Sequence, residues 1–180
     1  MKYTQEDIIQ GCFRGDREYQ KALYDMYSSK MFAICLRYLS NKEDAEDMLQ
    51  DTFIKIFSSP KYFKNITNLG AWVRKVFINN IIDSFKNKKK IFATQDIEKF
   101  SDECKDFVFD VDTDRFTTKE LLQALLSLKK HERIIFNMLE MEDFSYKEVE
   151  KITGRNASTI RSINMRAKIK MKNYLNQLKK

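Results

Sequence analysis

Asp44, Asp47 and Asp51 stand three and four residues apart, so on a helix their carboxylates share one face. Such a face has three readings. It can sit in solvent near a helix N-terminus, whose partial positive charge favours carboxylates. It can dock a basic partner. It can also gather a divalent metal for strand cleavage. The metal reading is the weakest, because no histidine, lysine nucleophile or glycine-rich phosphate loop accompanies the three acids. No catalytic residue, metal or cofactor is therefore expected. The one histidine, His131, stands apart from any cysteine, and its neighbours Glu132 and Arg133 read as an ordinary helix surface. Cys12, Cys35 and Cys104 are odd in number and widely spaced, with no Cys-x-x-Cys, and read as reduced thiols.

Two basic stretches offer a different chemistry. From Lys61 to Lys90 there are eight basic residues against one acid, Asp83, with aromatics and amides between them. Cations that track phosphates, rings that stack on unpaired bases and amides that read base edges suit single-stranded nucleic acid. The candidates are Tyr62, Phe63, Lys64 and Asn65 in a loop, then Arg74, Lys75, Asn79, Asn80, Lys86 and Lys88 along a helix. Tyr62 and Phe63 are the better stacking candidates, since Trp72, Phe77 and Phe85 can equally belong to a core.

The second basic stretch, Lys151 to Lys180, holds nine Lys or Arg and no acid. It overlaps a two-helix pattern. Ser145 and Glu148 form a capping box that starts one short helix, and Gly154 stops it in a left-handed turn. Ser158 or Thr159 can cap the next helix, in which Ile160, Ile163, Ala167 and Met171 share one face. Two helices around a short glycine-containing turn, the second one basic outward, is the layout of a DNA-binding helix-turn-helix. A solvated surface helix is the plainer reading. Such a helix tends to use Glu–Lys pairs, and this segment has no Glu. Arg161, Ser162, Asn164 and Arg166 also fall in the first turns, the part that enters a major groove.

The elements that must position these groups are helices. One Pro and four Gly in 180 residues leave little turn chemistry for strands, and 43% hydrophobic residues suffice for a packed core, so an all-α fold is expected. No apolar run reaches membrane-span length and the N-terminus is not a signal peptide, which points to a cytoplasmic protein without membrane insertion. Thr4 with Asp7 starts a first helix, and Gly15-Asp16 breaks and restarts it. A long helix follows from Arg17 to Leu39. Asn41 caps the next, which turns Ala45, Leu49, Phe53 and Ile56 to one side and leaves Glu43, Asp44, Glu46, Asp47, Gln50 and Asp51 on the other. Ser58-Ser59-Pro60 ends it, and Leu69 to Lys90 is a further helix. Ala93 to Asp114 holds eight acids and two bases without helical period. Thr117-Thr118 then cap a Leu-rich helix, and another with Ile134, Ile135, Met138 and Leu139 completes a platform for the helix-turn-helix. The expected organisation is two small helical domains, 1–92 and 116–180, joined by an acidic linker, 93–115.

In this order the motifs resemble a family. The run from Asp44 to Phe53, DAEDMLQDTF, is similar to the core-polymerase-binding segment of bacterial sigma factors. The run from Ala71 to Asp83 with the lysines after it is similar to their promoter-melting helix. Phe144 to Val149 and Ser158 to Ala167 are similar to their C-terminal helix-turn-helix. The short two-domain form is that of the extracytoplasmic-function (ECF) group of the sigma-70 superfamily. The resemblance implies a transcription initiation factor that brings core RNA polymerase to promoter DNA. It implies that Glu46, Asp47, Gln50 and Asp51 dock on a basic coiled coil of the largest polymerase subunit. It implies that the loop Lys61 to Asn68 and the basic helix after it capture the melted minus-ten strand. It implies that Ser158, Thr159, Arg161, Ser162, Met165, Arg166 and Lys168 approach the minus-thirty-five duplex. It also implies control by an anti-sigma factor or another regulatory protein. The chain departs from the family pattern at Glu150, where a small residue is usual, and at Ile163, where Arg is usual. A stand-alone helix-turn-helix regulator that never engages polymerase is the competing reading, and it leaves the acidic face unexplained.

Overall fold

A computed structural model describes residues 3–87 and 116–178, and among them the regular structure is helical, with no strand. The acidic linker, Cys104 and Lys88 lie outside the described residues, as does the side chain of Lys86. The chain divides into two compact units, Met1–Ser84 and Phe85–Lys180.

In the first unit each helix begins where its capping chemistry is. Thr4 and Asp7 close a reciprocal capping box on α1 (Gln5–Phe13), and those hydrogen bonds hold the exposed Asp7 carboxyl below its ordinary pKa. Gly15 takes φ +78° and lets the chain double back. Asp16 then accepts the Glu18 N–H at 2.9 Å and starts α2 (Arg17–Leu39). Asn41 caps α3 (Lys42–Phe57) in the same way. A 3-10 turn, Pro60–Phe63, leads to α4 (Leu69–Asn87), where Asn68 Oδ1 accepts the Ala71 N–H. Helix α1 packs so closely on α2 that a Cβ at Gly11 would lie 2.1 Å from the Tyr19 ring. The core is apolar and aromatic: Ile8, Leu23, Ile56, Phe63, Leu69, Phe77 and Ile81 are shut off from solvent, and the Phe53 and Phe77 rings meet edge to face at 5.1 Å. Cys12 and Cys35 are free, buried thiols whose pKa burial pushes up to about 12, so neither supplies a reactive thiolate.

The second unit comprises α5 (Thr118–Leu126), α6 (Lys130–Phe136), α7 (Tyr146–Thr153) and α8 (Ala157–Gln177). Thr117 with Glu120 and Ser145 with Glu148 form the capping boxes of α5 and α7. Helix α6 runs directly into a π-turn, Asn137–Met141, that sequence periodicity did not signal. Ala124, Leu125, Leu128, Phe136, Ala167, Met171 and Leu175 form one apolar cluster between α5, α6 and α8. The expected inward face of α8 is confirmed, with Ile160, Ile163, Ala167 and Met171 all buried.

One expectation is corrected. His131 is not on a helix surface but buried, together with Glu132 and Arg133. Burial is the main cause that holds its imidazole below the ordinary histidine pKa. Arg155, Arg166 and Lys129 push the same way and Glu132 opposes them.

Candidate nucleic-acid interface

Helix α3 shows a clean division. Its inner stripe is core, and Asp44, Asp47, Gln50 and Asp51 are exposed. Glu46 is half-buried and reaches Lys42 one turn back at 3.5 Å. Asp47, Gln50 and Asp51 make no hydrogen bond or ion pair among the described residues. Ile54 extends the same stripe by one turn and is 65% exposed, the barest large apolar side chain of the described residues. Sequence reasoning passed over it, although its spacing of seven from Asp47 places it on that line. Among the described residues no group of three or more His, Cys, Asp or Glu side chains could hold a metal ion.

The single-strand candidates separate. Tyr62 is 47% exposed, but Phe63 is 2% exposed with its ring 5.1 Å from that of Trp72, so Phe63 belongs to the core and has no free face for a base. The cause is local: the 3-10 turn after Pro60 points successive side chains apart, one outward and one inward. Lys64 and Asn65 are exposed, and Asn65 takes the left-handed backbone (φ 64°) that Asn tolerates in turns. Arg74, Lys75 and Asn79 lie exposed along α4. Asn80 does not join them. Its Nδ2 donates to Thr52 Oγ1 at 2.8 Å and its Oδ1 accepts from Lys55 Nζ at 3.0 Å, which ties α4 to α3. That amide is spent on packing and is withdrawn from the base-reading set.

The helix-turn-helix is built as expected and wired differently. Gly154 adopts φ +69° at the end of α7. The cap of α8 is Asn156, whose Oδ1 accepts the Thr159 N–H at 2.9 Å, and not Ser158 or Thr159. Asn ranks with Ser and above Thr as an N-cap, so its residue type marks Asn156 as a candidate equal to Ser158. Ser158 Oγ instead donates to Asn156 Oδ1. Glu150 reaches across the turn, and its Oε1 accepts the Ala157 N–H at 2.7 Å. The carboxylate thus clips the two helices together at the positive end of α8. Ile163 is wholly buried, so an inward position carries the apolar residue there.

The basic face of α8 is smaller than its composition implies. Lys168 Nζ lies 2.8 Å from Glu140 Oε1, and Asn164, 4% exposed, donates to the same oxygen at 2.7 Å. Lys170 Nζ lies 2.7 Å from the buried Glu132. The acids missing from α8 itself are supplied by α6 and the π-turn. Asn164 and Lys168 are therefore bracing groups rather than groove-facing ones. Arg161 is exposed and lies 5.3 Å from the centre of the Tyr146 ring, and Ser162, Met165 and Arg166 are partly exposed beside it.

Residues 23–91 match the family model for Sigma-70 region 2, and residues 118–171 match that for Sigma-70 region 4. Together they take in more than half of the chain, in the family's order. The chain belongs to the sigma-70 family. Similar proteins include the RNA polymerase sigma factor SigV of Bacillus subtilis, 25% identical over 136 residues (76% of this chain and 78% of that one). The ECF RNA polymerase sigma-E factor of Haemophilus influenzae is 24% identical over 192 residues, 97% of each chain. Among solved structures, the sigma factor RpoE in complex with the anti-sigma factor NepR from Bartonella quintana aligns over 87% of this chain and 96% of that one, with 21% identity and a TM-score of 0.49. The protein is thus an ECF-type sigma factor, an initiation factor that binds core RNA polymerase and directs it to promoters. The match to region 2 disfavours a regulator that acts on DNA alone. Among the described residues no helix is long and apolar enough to cross a membrane.

Proposed function

We propose how this sigma factor divides its work among residues. Asp47, Gln50 and Asp51, with Glu46 at the edge and Ile54 beyond, form the polymerase-docking stripe. The observation that carries this is the exposure of Asp47, Gln50 and Asp51 without any hydrogen bond or ion pair among the described residues, on a helix whose other face is core. In a chain of net charge +7, unpaired acids on one stripe fit a basic partner. Tyr62, Lys64, Asn65, Arg74, Lys75 and Asn79 handle the melted minus-ten strand, with Tyr62 as the stacking ring. Lys86 and Lys88 extend this set toward the linker. Ser158, Arg161, Ser162, Met165 and Arg166 meet the minus-thirty-five duplex, Arg161 as the base reader. Thr159, whose backbone N–H is taken by Asn156, meets the duplex through its partly exposed side chain.

The domain limits that go with this division are 1–92 and 116–180, with the acidic linker 93–115 threading toward the polymerase channel. The protein acts in the cytoplasm and is not an enzyme, because the polymerase performs the chemistry. An anti-sigma factor or another regulatory protein is its further partner. The test is run-off transcription by core polymerase plus this protein on a library of promoter sequences. Start sites that depend on both an upstream and a melted element support the division. Transcription that depends on only one element contradicts it.

A further inference from the structure

Arg161 has no carboxylate partner among the described residues, yet its guanidinium is not loose. It lies 5.3 Å from the centroid of the Tyr146 ring, inside the range at which a cation is held by an aromatic face. Both side chains are exposed, so the contact is not forced by core packing. Both ends of the pair are fixed. Tyr146 is the first residue of α7, whose start is locked by the Ser145–Glu148 box. The start of α8 is locked by Asn156 and by the Glu150 carboxylate on the Ala157 N–H. The backbone positions from which the ring and the guanidinium project are therefore set across the helix-turn-helix.

We propose that Tyr146 is a positioning residue for promoter discrimination: its ring holds the Arg161 guanidinium in the orientation that reads a base in the minus-thirty-five duplex, without reading one itself. The inference rests on the assignment of Arg161 as the base reader. A free arginine loses rotamer freedom when it docks bidentately on a base, and a planar fork already held against a ring loses less. The ring, not the hydroxyl, does this, because the attraction comes from the aromatic face.

The experiment uses the full chain with core polymerase. It measures run-off transcription on promoters carrying each single-base substitution of the minus-thirty-five element. Tyr146→Leu is expected to lower discrimination about three-fold, at the same base position that Arg161→Ala affects, with other positions unchanged. Tyr146→Phe is expected to retain it. In the Arg161→Ala background Tyr146→Leu is expected to add nothing. Loss on Tyr146→Phe equal to that on Tyr146→Leu overturns the proposal, since it points to a hydroxyl–phosphate contact. So does a Tyr146→Leu effect that persists without Arg161 or spreads over all positions. If Arg161→Ala itself changes no position, the assignment of Arg161 fails. If Arg161→Ala acts and Tyr146→Leu does not, only the present inference fails.

Discussion

Helices α3 and α8 each carry a run of one charge sign, and they dispose of it in opposite ways. On α3 the acids Asp47 and Asp51 face solvent and make no pair among the described residues. The unit beneath them is held by apolar and aromatic packing, with Thr52 its only buried polar residue among those described. On α8 the run divides in two. Its first turns present Arg161 and its neighbours outward, while Lys168 and Lys170 turn back to Glu140 and Glu132. The unit beneath α8 buries His131, Glu132, Arg133, Asn137, Thr153 and Asn164. Charge on α3 is thus spare and available to a partner. Two of the five charges on α8, Lys168 and Lys170, are part of the scaffold that holds its first turns in place.

Mutations at the two ends of α8 test the division. Lys170→Met leaves the Glu132 carboxylate, 2% exposed, without its cation, and is expected to cost about 3 kcal/mol of stability in urea unfolding. Arg161→Ala is expected to lower stability by no more than about 1 kcal/mol, through the lost contact with Tyr146, and to cost about 2 kcal/mol in promoter discrimination. If Lys170→Met instead altered discrimination with no loss of stability, the scaffold half would be reading DNA and the comparison would break.

Smaller effects sharpen it. Glu150→Ala removes the clip on the Ala157 N–H and should destabilise the second unit by about 1 kcal/mol in thermal melting. His131 gives the smallest signal and the sign is fixed. Its folded pKa is depressed, so the stability tied to the neutral ring is present above the unfolded value of about 6.5 and is lost as pH falls through the lower folded value. Melts of the full chain between pH 7.5 and pH 5 should show that loss, and His131→Leu should flatten it.

Much of this was legible in the sequence because helix starts are local. Thr4, Asp16, Asn41, Thr117 and Ser145 each announce a helix that begins where they stand. The α8 core stripe was equally readable from its spacing. What was not legible depends on partners far along the chain. The run Lys130-His131-Glu132-Arg133 looks like a surface, but the buried Glu132 carboxylate is satisfied by the Lys129 N–H beside it and by Lys170, thirty-eight residues on. Asn80 looks like a free amide until Thr52 and Lys55 are placed beside it. Phe63 looks like a loop aromatic until Trp72 is seen to cover it. In each case residue type fixed what the group can do, and a distant neighbour decided whether it is still free to do it.

The central claim is that the unpaired acids of α3 are held for the polymerase. Its most direct test is the affinity of the full chain for core RNA polymerase, wild type against Asp47→Arg, in a competition binding assay. Asp47 is an exposed residue without a hydrogen bond or ion pair among the described residues, so the substitution should shift unfolding by no more than about 0.5 kcal/mol. The account predicts at least a ~10-fold loss of affinity, about 1.4 kcal/mol, that shrinks as salt is raised. An Asp47→Arg protein that is folded and binds core polymerase as tightly as wild type contradicts it.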